Sequence, residues 1–265
     1  MQRVIDTERI PIKLWIDELE SGALKQAKDL ANLPFAYKWI SIMPDCHQGY
    51  GMPIGGVMAA EDVIVPNAVG VDIGCGMVAS KLSITDIDAA AVQELIGEIG
   101  RAIPLGFEHH GNPQKWEGFA EAPDLPVVQR ELDSARRQLG TLGGGNHFIE
   151  VQCGDDGHIW LMVHSGSRNF GYKIASEYNQ KAKQATQKHR YAVPSRDLSF
   201  LPFDSREGQA YFEAMNYALR FARASRAAMM KRATAAAASV TGATVERQVN
   251  IHHNYAAVEE HYGRE

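Results

Sequence analysis

The sequence predicts an α+β protein folded as one domain over residues 1–265, on three observations. Short apolar runs bounded by glycine-rich turns fill residues 40–82, and long helical patterns flank them. The two kinds of segment do not alternate as regular βαβ units, which separates the chain from the parallel α/β folds. Its 265 residues are 45% hydrophobic and 22% charged, enough to bury a substantial core.

The elements follow in order. Pro11 precedes residues 13–31, where Leu14, Leu19, Leu24 and Leu30 recur among charges. This predicts a helix weakened by Gly22 and stopped near Pro34. Val63-Ile64-Val65, Val69-Gly70-Val71 and Met77-Val78-Ala79 read as buried strands joined by tight loops. Residues 85–103 return to helical spacing, with Val92, Leu95 and Ile99 on one face. Residues 106–126, rich in Gly, Pro and Trp, predict a long functional or surface loop. A short helix is expected over 131–139, ended by Gly140, then strands at 148–151 and 159–163, then a polar helix over 172–190. Asp204-Ser205-Arg206-Glu207 has the form of a capping box. Phe212, Met215, Leu219 and Ala222 continue it at helical spacing, so the longest helix should run from Asp204 to near Gly242.

Composition narrows the function classes. No run approaches the roughly 18 apolar residues of a transmembrane helix. The N-terminus carries Asp6 and Glu8 and lacks an apolar stretch, so it does not read as a signal peptide, and a cytoplasmic location is expected. Cys46, Cys75 and Cys153 are too few and too scattered for a disulfide framework. A net charge of -5 argues against a surface coated for non-specific nucleic-acid binding, while leaving room for a local basic groove.

Chemistry-bearing residues gather in four segments. Val69-Gly70-Val71-Asp72-Ile73-Gly74-Cys75-Gly76 places a carboxylate and a thiol three residues apart among glycines. Such a turn can aim both side chains at one point, and a thiolate can bridge two metal ions. Cys75 as a small buried hydrophobe and Asp72 as a turn-former are the competing readings. The glycine density favours a site, because glycine weakens a strand and is kept where backbone must approach something closely. Gly143-Gly144-Gly145-Asn146-His147-Phe148-Ile149-Glu150 exposes backbone N–H groups able to nest an anion, although a plain tight turn is the more common explanation of such glycines. His164-Ser165-Gly166-Ser167-Arg168 ends a strand and offers a planar guanidinium for phosphate or, alternatively, for a surface salt bridge. In Asn250-Ile251-His252-His253-Asn254, adjacent histidines in a strand face opposite sides, so at most one joins a shared site. His109, His110, His158 and His189 lie in polar contexts without such company. One Cys, one Asp and three His suit a transition-metal pair, by ligand type zinc before manganese. Paired metals fit chemistry on phosphates.

Taken together, these segments closely resemble the RtcB family of RNA ligases, as do Met43-Pro44-Asp45-Cys46-His47-Gln48-Gly49-Tyr50-Gly51 and Pro194-Ser195-Arg196-Asp197-Leu198. The resemblance covers essentially the whole chain. It implies joining of an RNA 3′-phosphate or 2′,3′-cyclic phosphate to a 5′-hydroxyl, with GTP and two manganese ions, through a guanylylated histidine. Carried over by motif, Cys75 bridges both metals, Asp72 and His147 complete one, and His164 and His253 complete the other. Asn146, His147, Phe148, Ile149 and Glu150, with His253 and Asn254, match guanylate-binding segments, and Arg168 is the candidate for RNA contact. Arg136, Arg137 and residues 181–190 are further candidates for phosphate.

Family members also carry an Arg-Lys-Gly-Ala stretch and a later His-Gly-Ala-Gly-Arg segment with the histidine nucleophile. Neither occurs in these residues, so the expected form is the N-terminal part of the family's catalytic domain, cut short. Two weaker activities remain open on the same residues: metal and guanine-nucleotide binding without ligation, and metal-assisted opening of a cyclic phosphate.

Overall fold

The structure, a computed structural model, describes residues 1–263. Its class is the expected mixture of sheets and helices. Within the span expected as one domain, the described residues gather into two compact units: 1–71, 175–213 and those from 256 on form the first, and 72–174 with 214–255 the second.

In the first unit, β1 (Arg3–Ile5), β2 (Ile12–Leu14), β3 (Ala36–His47) and β4 (Ile54–Ala60) pair in that order. All pairs are antiparallel except β2 beside β3. Helix α1 (Ser21–Ala31) shares a core with them, built from Ile12, Leu14, Ala27, Leu30, Ile40 and Ile42. The helix expected over 13–31 is thus only its second half. Ile12 and Leu14 are buried on either side of Lys13, a period of two, and their pairing with Ile40 and Ile42 overrides the helical spacing of leucines. Gly22 falls in the first turn of α1, where it does not interrupt the helix. β5 (Val63–Ile64) pairs with β9 (Leu201–Pro202). The strand expected at Val69-Gly70-Val71 does not form. Pro66 opens a single helical turn, α2 (Pro66–Val69), and Gly70 leaves it at a φ of 91°.

The second unit is built on an antiparallel sheet of order β10–β6–β8–β7: β6 (Gly76–Leu82), β7 (Phe148–Cys153), β8 (Ile159–Ser165) and β10 (Val245–His252). Alternation sorts its faces. Val78, Leu82, Leu161 and Val163 pack against Leu95 and Ile99 of α3 (Ala89–Ala102) and against Met229, Met230 and Ala233 of α6 (Arg206–Thr241). His164 lies in register with Met77 and Phe148, on the opposite face. Two helices begin earlier than their patterns suggest. α4 (Pro126–Gln138) starts at its proline, whose missing N–H is tolerated there, and α5 (Arg168–His189) starts at Arg168. α3 starts later, where Asp88 accepts from Ala91 N at 2.8 Å. The cap of α6 is Ser205, whose hydroxyl accepts from Gly208 N at 3.0 Å, one residue beyond the expected Asp204. Gly242, at a φ of 72°, follows its last turn as expected. Part of the loop expected at the surface is interior: Trp116 and Phe119 pack edge-on to each other and against Phe221.

Among the described residues no helix is long and apolar enough to cross a membrane.

Gly76 sets how closely β10 approaches β6. A Cβ there would fall onto Ile251 O and within 2.9 Å of His252 Cα, both backbone, so no side-chain rotation relieves it. Gly76→Ala should therefore destabilise the protein by about 1–3 kcal/mol, read as a lower denaturant midpoint. An unchanged midpoint would show that β10 can shift freely.

Candidate metal centre

Three segments of the second unit deliver donors to one point. The first is the turn from Asp72 to Cys75, closed by Cys75 N donating to Asp72 O at 3.0 Å. Gly74 turns it at a φ of 75°, and a side chain there would come within 2.9 Å of Ala222 Cβ. The second is the β7–β8 hairpin, which places His147 just before β7 and His164 near the end of β8. The third follows β10 and is pinned to the turn by backbone. His253 N donates to Cys75 O at 2.9 Å, and Gly74 N donates to Asn254 O at 2.9 Å.

The donor atoms meet closely. Cys75 Sγ lies 3.1 Å from His164 Nε2 and 3.7 Å from His147 Nε2. His147 Nε2 is 2.9 Å from Asp72 Oδ2, and His164 Nε2 is 3.3 Å from His253 Nε2. They form two triads that share the thiol: Asp72, Cys75 and His147, and Cys75, His164 and His253, with donor atoms of each triad within 4.8 Å of one another.

Backbone carbonyls orient two of the rings. His164 Nδ1 donates to Asn146 O at 3.0 Å and His147 Nδ1 to Leu142 O at 3.1 Å, so each presents Nε2 to the shared point. Burial lowers the His164 pKa and keeps that ring neutral, with the Nε2 lone pair aimed at Cys75 and His253. Burial first, and then the charge of Asp72, pushes the Cys75 thiol far above its ordinary range. A thiol, a carboxylate and imidazole lone pairs crowded this way repel one another unless protons or a cation sit between them. The donor set therefore fits metal ions, and zinc and manganese are both compatible with its types.

Arg226 is the residue the sequence reading missed. It is fully buried on α6 and donates to Gly74 O at 2.6 Å, Ser165 O at 2.8 Å and Asn250 Oδ1 at 2.9 Å. Its Nη2 also reaches His252 Nδ1 at 3.0 Å, so His252 faces the helix while His253 faces the donors, as adjacent strand residues should. Burial lowers its pKa to about 10, with the nearby Cys75 and Asp72 favouring its charge. The signal was present: Arg226 falls on the same stripe of α6 as the buried Ala222, Met229 and Met230.

The other expected residues divide. Phe148 lies with its ring 5.4 Å from that of His164, and Asn254 Nδ2 donates to Asp72 O at 3.3 Å. Asn146 contributes its carbonyl, while Ile149 packs against the core. Glu150 is exposed and accepts from Gln152 Nε2 at 2.6 Å. Arg168 donates to Thr141 Oγ1 at 2.9 Å and Gly106 O at 2.7 Å. Arg136 stacks on Phe119 at 4.6 Å and Arg137 donates to Gly111 O, so both have local partners. In the first unit, Lys181 pairs with Glu177 at 2.8 Å and Lys183 with Asp197 at 3.1 Å. His110 sits 3.2 Å from Arg232, His158 Nδ1 contacts Leu82 O at 3.1 Å, and His189 stacks on Tyr191, all structural arrangements.

Arg226→Met would leave buried carbonyls without donors and should cost about 2–5 kcal/mol of stability in denaturant unfolding. Arg226→Lys should recover less than half of that loss, since one ammonium cannot span four acceptors. Full recovery by lysine would show that charge alone matters.

Comparison with known proteins places this geometry in a lineage. The family model described as tRNA-splicing ligase RtcB matches residues 26–122 and 112–265. The RNA-splicing ligase RtcB of Escherichia coli K12 is 34% identical over 99% of this chain and 71% of its own length. The tRNA-splicing ligase RtcB of Thermococcus kodakarensis is 34% identical over 82% of this chain and 57% of its own. For the RNA-splicing ligase RtcB of Mycobacterium tuberculosis the figures are 30%, 89% and 67%. A family match over nearly the whole chain, with relatives similar along most of it, shows that this chain belongs to the RtcB family.

Proposed function

We propose that this chain carries the metal centre of a GTP-dependent RNA ligase that joins 3′-phosphate or 2′,3′-cyclic phosphate ends to 5′-hydroxyl ends. The observation behind this reading is the pair of donor triads sharing Cys75. Asp72, Cys75 and His147 would hold one ion, and Cys75, His164 and His253 the other. Bound divalent ions at such a site supply Lewis-acid stabilisation of charge on phosphate oxygens. Family membership favours manganese as the working pair, and zinc, which suits the same donors, would compete for it.

The chain's own residues then have distinct tasks. The carbonyls of Leu142 and Asn146 hold the His147 and His164 rings with Nε2 inward. The segment from Asn146 to Glu150, with His253 and Asn254, would receive GTP beside the donors, which places the nucleotide phosphates near the metals. Glu150 would have to exchange its Gln152 partner for a guanine edge. Arg168, anchored through two of its nitrogens, would meet an RNA phosphate. The family's guanylylated histidine belongs to the same reading, and no described histidine is assigned to it. A cytoplasmic place of action accords with three cysteines that are all free.

The test combines metal content with catalysis. Purified chain loaded with manganese should hold two ions, and Cys75→Ala should lose both, whereas His253→Ala should lose one. With GTP, two RNA strands bearing 3′-phosphate and 5′-hydroxyl ends, and a polypeptide supplying the family's His-Gly-Ala-Gly-Arg segment, a joined product is expected. Opening of a cyclic phosphate without GTP would point to a phosphoesterase instead, and reversible GTP binding without product to a binding module. Metal content indifferent to Cys75→Ala would end the reading.

A further inference from the structure

A second feature of the same unit lies outside the donor cluster. Phe107 is 102% exposed at the tip of the loop that leads from α3 toward α4. A single exposed aromatic is ordinary on a protein surface. This one is held in place: Gly106 N donates to Gly143 O at 2.8 Å, and His110 N donates to Arg137 O at 3.0 Å. Arg168 Nη2 donates to Gly106 O at 2.7 Å, tying the loop to the guanidinium. The backbone is fixed on both sides of the ring, yet nothing covers the ring.

Below Phe107 opens a cleft of about 570 Å³, whose walls include His109, Gln138, Gly144, Gly145 and Arg168. Arg168 is the cation among its walls and suits an anion. Arg168 spends Nε on Thr141 and Nη2 on Gly106, which leaves Nη1 without a hydrogen bond among the described residues. Gly144 and Gly145 are exposed, and a Cβ on Gly145 would meet nothing within 4 Å, so their backbone is open to a ligand. Among the described residues no carboxylate lines the cleft to repel a phosphate. Gly143 links the cleft to the donor cluster: a Cβ there would collide with Arg168 Nη1 and come within 2.9 Å of His147 Nδ1.

From this juxtaposition we infer that the cleft seats the terminal nucleotide of a single-stranded RNA, with its base stacked on Phe107 and its phosphate at Arg168 and the Gly144–Gly145 backbone. The inference rests on the RNA reading above and adds the element that grips the strand. An aromatic shelf accepts any base because every base has a π-face, and the cationic floor follows the backbone. A strand end held this way points its phosphate toward His147. A free guanine nucleotide is the weaker occupant, because Glu150, the carboxylate able to read guanine, is not part of these walls.

The test is fluorescence anisotropy of a short single-stranded RNA ending in a 3′-phosphate, titrated with the metal-free chain, with GTP binding measured in parallel. Phe107→Ala should weaken RNA binding about five- to hundredfold, and Phe107→Tyr should stay within about threefold of the parent. GTP affinity should be unaffected by either. Because Phe107 is exposed, neither change threatens the fold. RNA binding that is intact in Phe107→Ala overturns the shelf and leaves the ligase reading standing. Weakened GTP binding with unchanged RNA binding overturns the assignment to RNA. A metal-free parent chain that binds no RNA overturns the shelf, and the metal-content and joining assay then judges the ligase reading separately.

Discussion

One guanidinium holds the backbone of the candidate metal centre together. Arg226 donates to the turn that carries Asp72 and Cys75, to the residue that follows His164, and to two residues of the strand that leads into His253. These three segments are far apart in sequence, and within the second unit they converge on the buried face of α6. A charge sunk this deep, without a carboxylate in contact, is stable only because carbonyls, an amide oxygen and an imidazole nitrogen surround it. The acceptors lie on a turn, on β8 and on β10, so satisfying the cation fixes the relative positions of all three. The geometry of the donors is thus inherited from an electrostatic requirement one layer below them.

That arrangement also explains the glycines. Gly74 passes close to α6 and Gly76 lets β10 lie against β6, both where a Cβ has no room. With the turn drawn down by Arg226 and the strand drawn in by Gly76, the thiol is left on the far side with the imidazoles. Carbonyl partners then set the rotation of His147 and His164. Helix packing, strand pairing and ring orientation all act on the same few atoms.

The five donors were legible in the sequence because their residue types are uncommon together and sit among glycines that a plain strand would not keep. Their convergence was stated as an expectation and is what the geometry displays; their occupancy by metal stays with the proposal. Arg226 was not legible by that route. Its neighbours are alanines, methionines and a serine in a long helix, and a charge there reads as part of the solvated face unless the buried stripe is traced residue by residue. The fold was readable where periodicity was long, as in α6, and misread where it was short. Ile12 and Leu14 fit a helix by spacing and a strand by pairing, and the partner that decides, β3, is invisible in a local window. Val69-Gly70-Val71 looked like a strand because Pro66, which starts a helical turn, lay just outside the apolar run. Glu150, matched to a guanine-reading role by resemblance, faces Gln152, since residue type cannot report a side chain's current partner.

The long span between donors has a consequence for how the chain matures. Cys75 and His164 are separated by 89 residues, and His164 and His253 by another 89. During synthesis the thiol and the carboxylate therefore emerge long before the last imidazole. The triad of Asp72, Cys75 and His147 becomes available first, and the second triad waits for β10 to dock beside β6. A nascent chain thus has the residues of one triad before it has those of the other. The docking of β10 against β6 is thus the step that completes the second triad.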